Sequence, residues 1–317
     1  MRADASFPIM GSTAHLVVVG GDPAELVTRG QARLTDLERR WSRFVDTSEV
    51  SWLNRLAGEP VVTSWETRML VRRALEGVDA TGGCYDPTVL GAMHRIGYCR
   101  TFASMGAAIA DDLEPSSLST GATDIVVDET SRTVQLPPNV GFDPGGIGKG
   151  LAADLVSDEL IAHGAHGVCV NIGGDLRVRG LAPSGGDWRI DVTHPDDPDP
   201  VATVVIADGA VATSSQLRRR WLDADGHEQH HLIDPMTGVS ARTDVVSATV
   251  VAKDAWQAEV LTKLAMLGDP RRIAELGAAA LWRADRAIHT TSNWARYGAQ
   301  RSGRGRWVAA IEIGAGS

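Results

Sequence analysis

A glycine-rich segment followed directly by a helical pattern constrains this chain more than any other feature. Residues 143–150 are Asp-Pro-Gly-Gly-Ile-Gly-Lys-Gly, and apolar residues then recur at helical spacing from Leu151 to Leu160. Glycines let the backbone approach a ligand closely, and the first amides of a helix lack internal partners and attract anions. Lys149 adds positive charge. The segment therefore predicts a cradle for a phosphate or pyrophosphate, the alternative being a glycine-rich turn that enters an ordinary helix.

Two widespread phosphate-binding loops can be excluded for this segment. A Walker A loop has the form Gly-x-x-x-x-Gly-Lys-Ser/Thr, but Asp143 stands at the first position and Gly150 at the last. The dinucleotide fingerprint Gly-x-Gly-x-x-Gly also fails, because the last two of Gly146, Gly148 and Gly150 are too close together. Whatever this segment binds, it is neither of these two common types.

The composition narrows the class of protein. A chain of 317 residues, 43% of them hydrophobic, can form one large or two ordinary domains with a sizeable core. Its net charge of −9 argues against general nucleic-acid binding, which needs a basic surface. Its scattered cysteines form no Cys-x-x-Cys pair and indicate neither a zinc ribbon nor a disulfide framework. With no apolar leader and no stretch of membrane-spanning length, we expect a soluble cytoplasmic protein.

Hydrophobic periodicity predicts helices and strands without strict alternation, which favours an α+β fold over a doubly wound sheet. Helices are expected at residues 24–44, 64–80, 102–113, 150–163, 253–267 and 270–280. Strands are expected at residues 15–19, 124–127, 133–136, 168–172, 188–192, 202–206, 245–251 and 307–313. The remaining assignments are a short connector at residues 51–56 and a turn into an arginine-rich stretch at residues 209–217.

Polar side chains on predicted turns are candidates for chemistry, because loops on a rigid scaffold are where function concentrates. His231 could take up a proton near neutral pH, and Asp234 could orient or assist it. The structural alternatives are an exposed histidine, since His230 is adjacent, and an Asx turn at Asp86 or Asp234.

A predicted helix near the end of the chain carries a second set of candidates. Glu259 and Lys263 lie four residues apart on one helix face, with Thr262 beside them. They are either a surface ion pair or a carboxylate and hydroxyl that hold Mg²⁺ against a substrate phosphate. The three arginines at residues 218–220 are either a solvated face or an anion clamp.

The order of these motifs resembles that of the FAD:protein FMN transferases, the ApbE-type flavin transferases. The motifs stand at residues 10–13, 41–44, 48–54, 83–88, 143–150, 171–175, 211–219, 231–238 and 258–263. Individually they are of moderate specificity, and together, in the family's order, they are specific. The resemblance covers roughly residues 8–270 of a chain that we expect to be a single flavin-transferase domain over residues 1–317.

The resemblance implies a two-lobed α+β domain with mixed sheets and FAD bound in a central cleft. It implies an enzyme that transfers FMN from FAD to a Ser or Thr hydroxyl of a target protein through a phosphoester bond, releasing AMP. The target would carry a Ser/Thr-Gly-Ala-Thr-like attachment sequence. The alternative is an FAD-binding protein or FAD pyrophosphatase of the same fold, with a metal site that has drifted.

The resemblance also assigns roles to individual residues. Eight residues correspond by motif position to FAD contacts: Met10, Phe44, Cys84, Tyr85, Asp86, Asp143, Lys149 and Ile233. The Mg²⁺ site corresponds to the carbonyl of Gly146 with Glu259 and either Thr262 or Lys263. His231 and Asp234 correspond to the region of the base.

The metal site departs from the family's pattern. Glu259 stands where Asp is usual, and Lys263 stands where Thr is usual. Like charges at about 4 Å repel by roughly 1 kcal/mol per unit charge pair in water, and several-fold more in a partly buried site. Lys263 therefore points away while Thr262 supplies the oxygen, or Lys263 replaces part of the metal's charge, or the site holds little metal.

Overall fold

The computed structural model describes residues 1–99, 121–194, 197–223 and 225–297. Its helices are α1 (Pro23–Trp41), α2 (Glu49–Arg55), α3 (Trp65–Thr81), α4 (Leu90–Arg95), α5 (Gly148–Ala162) and α6 (Ala255–Leu267). Its strands are β1 (Arg2–Ile9), β2 (Ser12–Val19), β3 (Pro60–Val62), β4 (Val126–Asp128), β5 (Thr133–Gln135), β6 (Gly167–Ile172), β7 (Asp175–Gly180), β8 (Trp188–His194), β9 (Asp197–Ile206), β10 (Gly209–Ser215), β11 (Arg220–Leu222), β12 (Glu228–His230), β13 (Ile233–Asp234), β14 (Val239–Ser240), β15 (Val245–Ala252), β16 (Ala279–Ala284) and β17 (Ala287–Thr290). Short 3₁₀ turns occur at Ala122–Asp124, Pro270–Ala274 and Trp294–Arg296.

An eight-stranded sheet forms the centre of the described structure, in the order β1-β2-β6-β7-β10-β15-β16-β17. Every neighbouring pair in it is antiparallel. Helices α1, α5 and α6 pack on this sheet, and α5 also packs against both α1 and α6. The α+β class is confirmed. The resemblance implied mixed sheets, whereas the large sheet is antiparallel throughout.

Both faces of the central sheet are covered. In β6, Val168, Val170 and Ile172 belong to the core that contains the helices, whereas Cys169 belongs to a second core. The β8–β9 hairpin contributes to that second core, with Trp188 almost fully buried. Burial on both faces explains why β6 is a continuous apolar run, a pattern more typical of parallel sheets.

Local sequence signals set several helix ends. Asp22 and Ser64 cap α1 and α3, each by accepting a hydrogen bond from the amide three residues on. Gly82 follows α3 in the left-handed conformation. Helix α1 stops at Trp41, before its expected end, so Phe44 lies in the following turn rather than on the helix.

Three predicted elements differ from the structure. Residues 51–56 lie mostly in α2 rather than in a connector, because Ser48 caps a short helix there. Residues 209–217 form strand β10 for most of their length, since their small side chains fit between β7 and β15. Residues 270–280 form a 3₁₀ turn and then enter β16, with Gly277 at a φ of 76° between them.

The other predicted helices and strands are confirmed with small shifts at their ends, wherever the structure describes them. The helix predicted at residues 102–113 and the strand predicted at residues 307–313 lie outside the described residues. Within the described ranges, none of the helices has the length and apolar character needed to cross a membrane.

Candidate active site

A cleft forms where the β1–β2 turn, the turns after α1 and α3, the glycine-rich segment, the chain around β13 and the end of α6 converge. Most of the candidates from the sequence line it: Met10, Phe44, Cys84, Tyr85, Asp86, Asp143, Gly146, Lys149, His231, Ile233 and Lys263. Asp234, Glu259 and Thr262 are not among the lining residues. The fold therefore brings together segments that are far apart in the sequence.

Two glycines of residues 143–150 are needed because neighbouring atoms leave no room for a Cβ. A Cβ at position 146 would lie 2.9 Å from the ring of Tyr85, so Gly146 keeps the segment against that ring. A Cβ at position 150 would lie 2.5 Å from the carbonyl carbon of Ala255, so Gly150 lets α5 pack against the start of α6. Of the two neighbours, Tyr85 lines the cleft and Ala255 does not.

Lys149 lies in a buried charge cluster at the start of α5. Its Nζ contacts the carboxylate of Asp175 and lies 3.0 Å from Oε1 of Glu259. Oε2 of Glu259 accepts a 2.8 Å hydrogen bond from the amide of Gly150. Burial acts to lower the pKa of Lys149, but the two carboxylates outweigh it and raise that pKa above its ordinary value. Lys149 therefore stays protonated.

Lys263 points at the glycine-rich segment. Its Nζ donates to the carbonyl oxygen of Gly146 at 3.3 Å and to the main-chain carbonyl of Glu259 at 3.0 Å. Burial lowers the pKa of Lys263, although Glu259 and Asp175 oppose the shift. The arrangement in which Lys263 points away is wrong, because its ammonium group lies on the carbonyl expected to hold Mg²⁺.

The other donors expected for Mg²⁺ are engaged within the protein. Both carboxylate oxygens of Glu259 have partners in the cluster around Lys149. The hydroxyl of Thr262 donates to the carbonyl of Glu259 at 2.6 Å and lies 2.7 Å from the hydroxyl of Ser214, fully buried. Mg²⁺ prefers an octahedral set of oxygen ligands, often with carboxylates among them. The ammonium groups of Lys149 and Lys263 lie on the expected ligands Glu259 and Gly146. These residues therefore do not fit a bound divalent cation.

The turn after α3 presents Tyr85 and Asp86 to the cleft. Tyr85 is buried, and its hydroxyl has no hydrogen-bond partner among the described residues. Burial, with the nearby carboxylates adding to it, raises the pKa of Tyr85 well above its usual value, so the phenol remains a donor. Such a buried hydroxyl is costly unless a ligand accepts its hydrogen bond. Asp86 accepts from the amide and hydroxyl of Thr88 at 2.7 and 2.5 Å, as in an Asx turn.

Cys84 and Ile233 complete the set of expected FAD contacts. Cys84 is half-buried, and desolvation raises the pKa of its thiol, which favours the neutral thiol over the thiolate. Ile233 is buried in a small apolar cluster with Met93 and Tyr98. Both residues therefore supply apolar surface to the cleft.

Arg43 is a cleft residue that sequence reasoning missed. Its Nε lies 3.1 Å from the carboxylate of Asp143, and both side chains are only 6% exposed. Its guanidinium lies 4.3 Å from the ring centroid of Phe44 and 4.8 Å from that of Tyr98, and it donates to the Tyr98 carbonyl at 3.1 Å. Arg43 thus balances the charge of Asp143 within a wall of aromatic rings. Its signal in the sequence was its place inside the motif at residues 41–44.

The β1–β2 turn places Met10 at the cleft. Met10 and Gly11 have φ values of 49° and 63°, as in the two-residue turns that favour Asn and Gly. The amide of Met10 donates a 2.6 Å hydrogen bond to the carboxylate of Glu38 on α1. Glu38, which sequence reasoning also missed, therefore holds an unfavourable turn in place.

The two adjacent histidines have different environments. His230 is buried, and its Nε2 lies 2.9 Å from the carbonyl of Ala241. His231 lines the cleft, and its Nδ1 has no hydrogen-bond partner among the described residues. Burial, followed by the charges of Arg219 and Lys263, lowers the pKa of His231 well below its ordinary value. The imidazole is therefore neutral at pH 7 and can accept a proton.

Asp234 stabilises the turn that follows β13. Its Oδ1 accepts from the amide of Met236 at 2.9 Å, and its main-chain carbonyl accepts from the amide of Gly238 at 2.8 Å. Among the contacts of the described residues, none joins Asp234 to His231. The geometry matches the Asx-turn alternative for Asp234.

Comparison with known proteins gives the family. Residues 10–282 match the model of the ApbE family. The chain belongs to the ApbE family. It is 28% identical over 277 residues to the FAD:protein FMN transferase of Vibrio cholerae, with 85% of this chain and 82% of that protein aligned. The FAD:protein FMN transferase of Treponema pallidum is 31% identical over 240 residues, or 68% of this chain and 64% of that protein.

A solved ApbE structure has the same fold. The ApbE protein of Thermotoga maritima superimposes with a TM-score of 0.83 at 25% identity, covering 95% of this chain and 100% of that one. The family resemblance found in the sequence is therefore confirmed.

Within this ApbE fold, the arginines at residues 218–220 are divided between two environments. Arg219 lines the cleft and donates to the carbonyl of Gly11 at 3.2 Å. Arg220 forms an ion pair with Glu228 of the neighbouring strand. Arg220 matches the solvated-face interpretation, whereas Arg219 lies where an anion clamp would need it and stays a candidate for one.

Proposed function

We propose that this chain, as a single flavin-transferase domain, transfers FMN from FAD to a Ser or Thr hydroxyl of a target protein and releases AMP. One observation carries the proposal. The cleft places an aromatic wall, two lysine ammonium groups and a neutral histidine along one surface. The relatives named FAD:protein FMN transferase support the same reaction.

The walls of the cleft suit the parts of FAD. Flat ring systems stack on aromatic faces, and Phe44, which is 38% exposed, offers such a face at the cleft. The diphosphate needs cations, which Lys149 and Lys263 provide at the start of α5 and beside the glycine-rich segment. The unpartnered hydroxyl of Tyr85 adds a further donor.

The reaction is a phosphoryl transfer, in which positioning and charge neutralisation provide most of the catalysis. The oxygen of the target hydroxyl forms a bond to the phosphorus on the flavin side of the diphosphate. The bond from that phosphorus to the bridging oxygen breaks, and AMP leaves with the electron pair. The neutral imidazole of His231, which lines the cleft, accepts the proton of the target hydroxyl.

Mg²⁺, which the family resemblance implied, takes no part in the proposed reaction because the residues present do not fit it. The target is proposed to carry a Ser/Thr-Gly-Ala-Thr-like sequence. We place the reaction in the cytoplasm, where free thiols such as those of the three unpaired cysteines persist.

A labelling assay tests the proposal. The purified protein is mixed with FAD and an acceptor domain that carries the attachment sequence, and covalent flavin is followed by in-gel fluorescence and intact mass. We expect the acceptor to gain one flavin mononucleotidyl group, with the rate lowered at least about 100-fold in His231→Ala. His227→Ala, at an exposed histidine, is the matched control and should match the parent.

Two other outcomes would contradict the transferase. Release of FMN and AMP without any gain by the acceptor would favour the FAD pyrophosphatase, with water in place of the hydroxyl. Bound FAD without turnover, tested with several acceptors, would favour a binding protein.

A further inference from the structure

We infer that the ammonium group of Lys263 is the built-in cation for the FAD diphosphate, so that the cleft binds FAD without a divalent metal. This inference rests on the proposed function and names the group that takes the place of a metal ion in it. It starts from the position of Lys263 Nζ, between the carbonyl oxygens of Gly146 and Glu259.

The hydrogen bonds of Lys263 leave room for a ligand. An ammonium group has three N–H donors, and the described contacts account for two of them. The side chain lines the cleft, so the third donor can reach a phosphate oxygen. Since Gly146 belongs to the glycine-rich segment, the ammonium group lies beside the phosphate cradle predicted from the sequence.

The charges of the cluster balance without a metal ion. Lys149 and Lys263 carry two positive charges, and the buried side chains of Asp175 and Glu259 carry two negative charges. The two lysines already offset the charges of the two carboxylates. A divalent ion would therefore add positive charge that neither carboxylate offsets, and it would repel both lysines. An incoming diphosphate also meets Arg219, which lines the cleft beside the two lysines and adds a positive charge to theirs.

Lysine is rare in this chain, which makes its placement informative. Lys149, Lys253 and Lys263 are its only lysines, against 28 arginines. Two of the three line the cleft, whereas Lys253 is exposed. An ammonium group is a compact point charge, closer in shape to a metal ion than the planar guanidinium group is.

Equilibrium binding to metal-stripped protein tests the inference. FAD affinity is measured by flavin fluorescence in excess EDTA and in excess Mg²⁺, with riboflavin as a probe that lacks phosphate. The variants are Lys263→Met, which removes the charge, and Lys263→Thr, which offers a hydroxyl. Lys253→Met is the matched control at the exposed lysine.

For the parent protein, we expect FAD affinity to differ by less than about twofold between EDTA and Mg²⁺. Lys263→Met should lose about tenfold or more in FAD affinity in both conditions, because a charged hydrogen bond is lost, while riboflavin binding stays unchanged. Lys263→Thr should lose as much in EDTA and regain part of it in Mg²⁺. Unchanged riboflavin binding shows that the variants are folded.

Two results would overturn the inference alone: a tenfold loss of FAD affinity by the parent protein in EDTA, or parental FAD affinity in Lys263→Met. Absence of FAD binding by the parent in both conditions would reject the inference together with the proposed function. The binding assay contains no acceptor protein, so a failure to label an acceptor leaves its result unaffected.

Discussion

Replacing Arg43 by methionine is expected to destabilise the protein strongly, although Arg43 lies at the end of a helix where arginine is usually dispensable. The guanidinium is 6% exposed and 3.1 Å from the carboxylate of Asp143. The variant leaves that carboxylate buried without its partner and removes the donors to the Tyr98 carbonyl. It also removes the contacts of the guanidinium with two aromatic rings.

The magnitude follows from the geometry of the pair. At an effective dielectric constant of about 20, two unit charges 3.1 Å apart attract by about 5 kcal/mol. Desolvation offsets much of this attraction in the intact pair, but removing one partner of a buried pair costs about 3–5 kcal/mol. We expect Arg43→Met to lower the free energy of unfolding by about 3 kcal/mol, and Asp143→Asn by a similar amount.

A double-mutant cycle separates the ion pair from other effects. Unfolding in urea, followed by far-UV circular dichroism, gives the free energy for the parent, both single variants and Arg43→Met with Asp143→Asn. The double variant leaves no unpaired charge, so its loss should be smaller than the summed single losses by about 2 kcal/mol. Strictly additive losses, or a single loss below about 1 kcal/mol, would refute the reasoning.

Two further predictions concern His231 and Gly150. Because the folded-state pKa of His231 lies below its unfolded value of about 6.5, its contribution to stability is complete above pH 6.5 and is lost as the pH falls. The parent should lose up to about 1.4 kcal/mol more than His231→Gln between pH 7.5 and 5.5 in urea unfolding, and parallel pH profiles would contradict this. Gly150→Ala should lower the free energy of unfolding by about 1–3 kcal/mol, because its Cβ would overlap the backbone at Ala255. Gly186→Ala, in open space, is the matched control, and equal stability of the two variants would contradict the packing argument.

Much of the candidate site was accessible from the sequence, because family motifs and turn residues are local signals. The glycine-rich segment, the turn at Asp86 and the segment that places His231 in the cleft all belong to such motifs. Arg43 was missed although its motif was recognised, because a basic residue after a helix is usually a solvated cap. Asp234 forms an Asx turn through one carboxylate oxygen, and its catalytic role stays a prediction.

The sequence by itself determined the α+β class, the positions of α3, α5 and α6 and the family, since capping residues, periodicity and motif order are all written along the chain. The tertiary structure decided the charge balance of the cleft. Lys149 meets Asp175 and Glu259 across separations of 26 and 110 residues, and Lys263 meets Gly146 across 117 residues. Such pairs form only when α5, α6 and β7 pack together. The choice between a metal ion and a lysine as the cation therefore depends on packing, which no local pattern specifies.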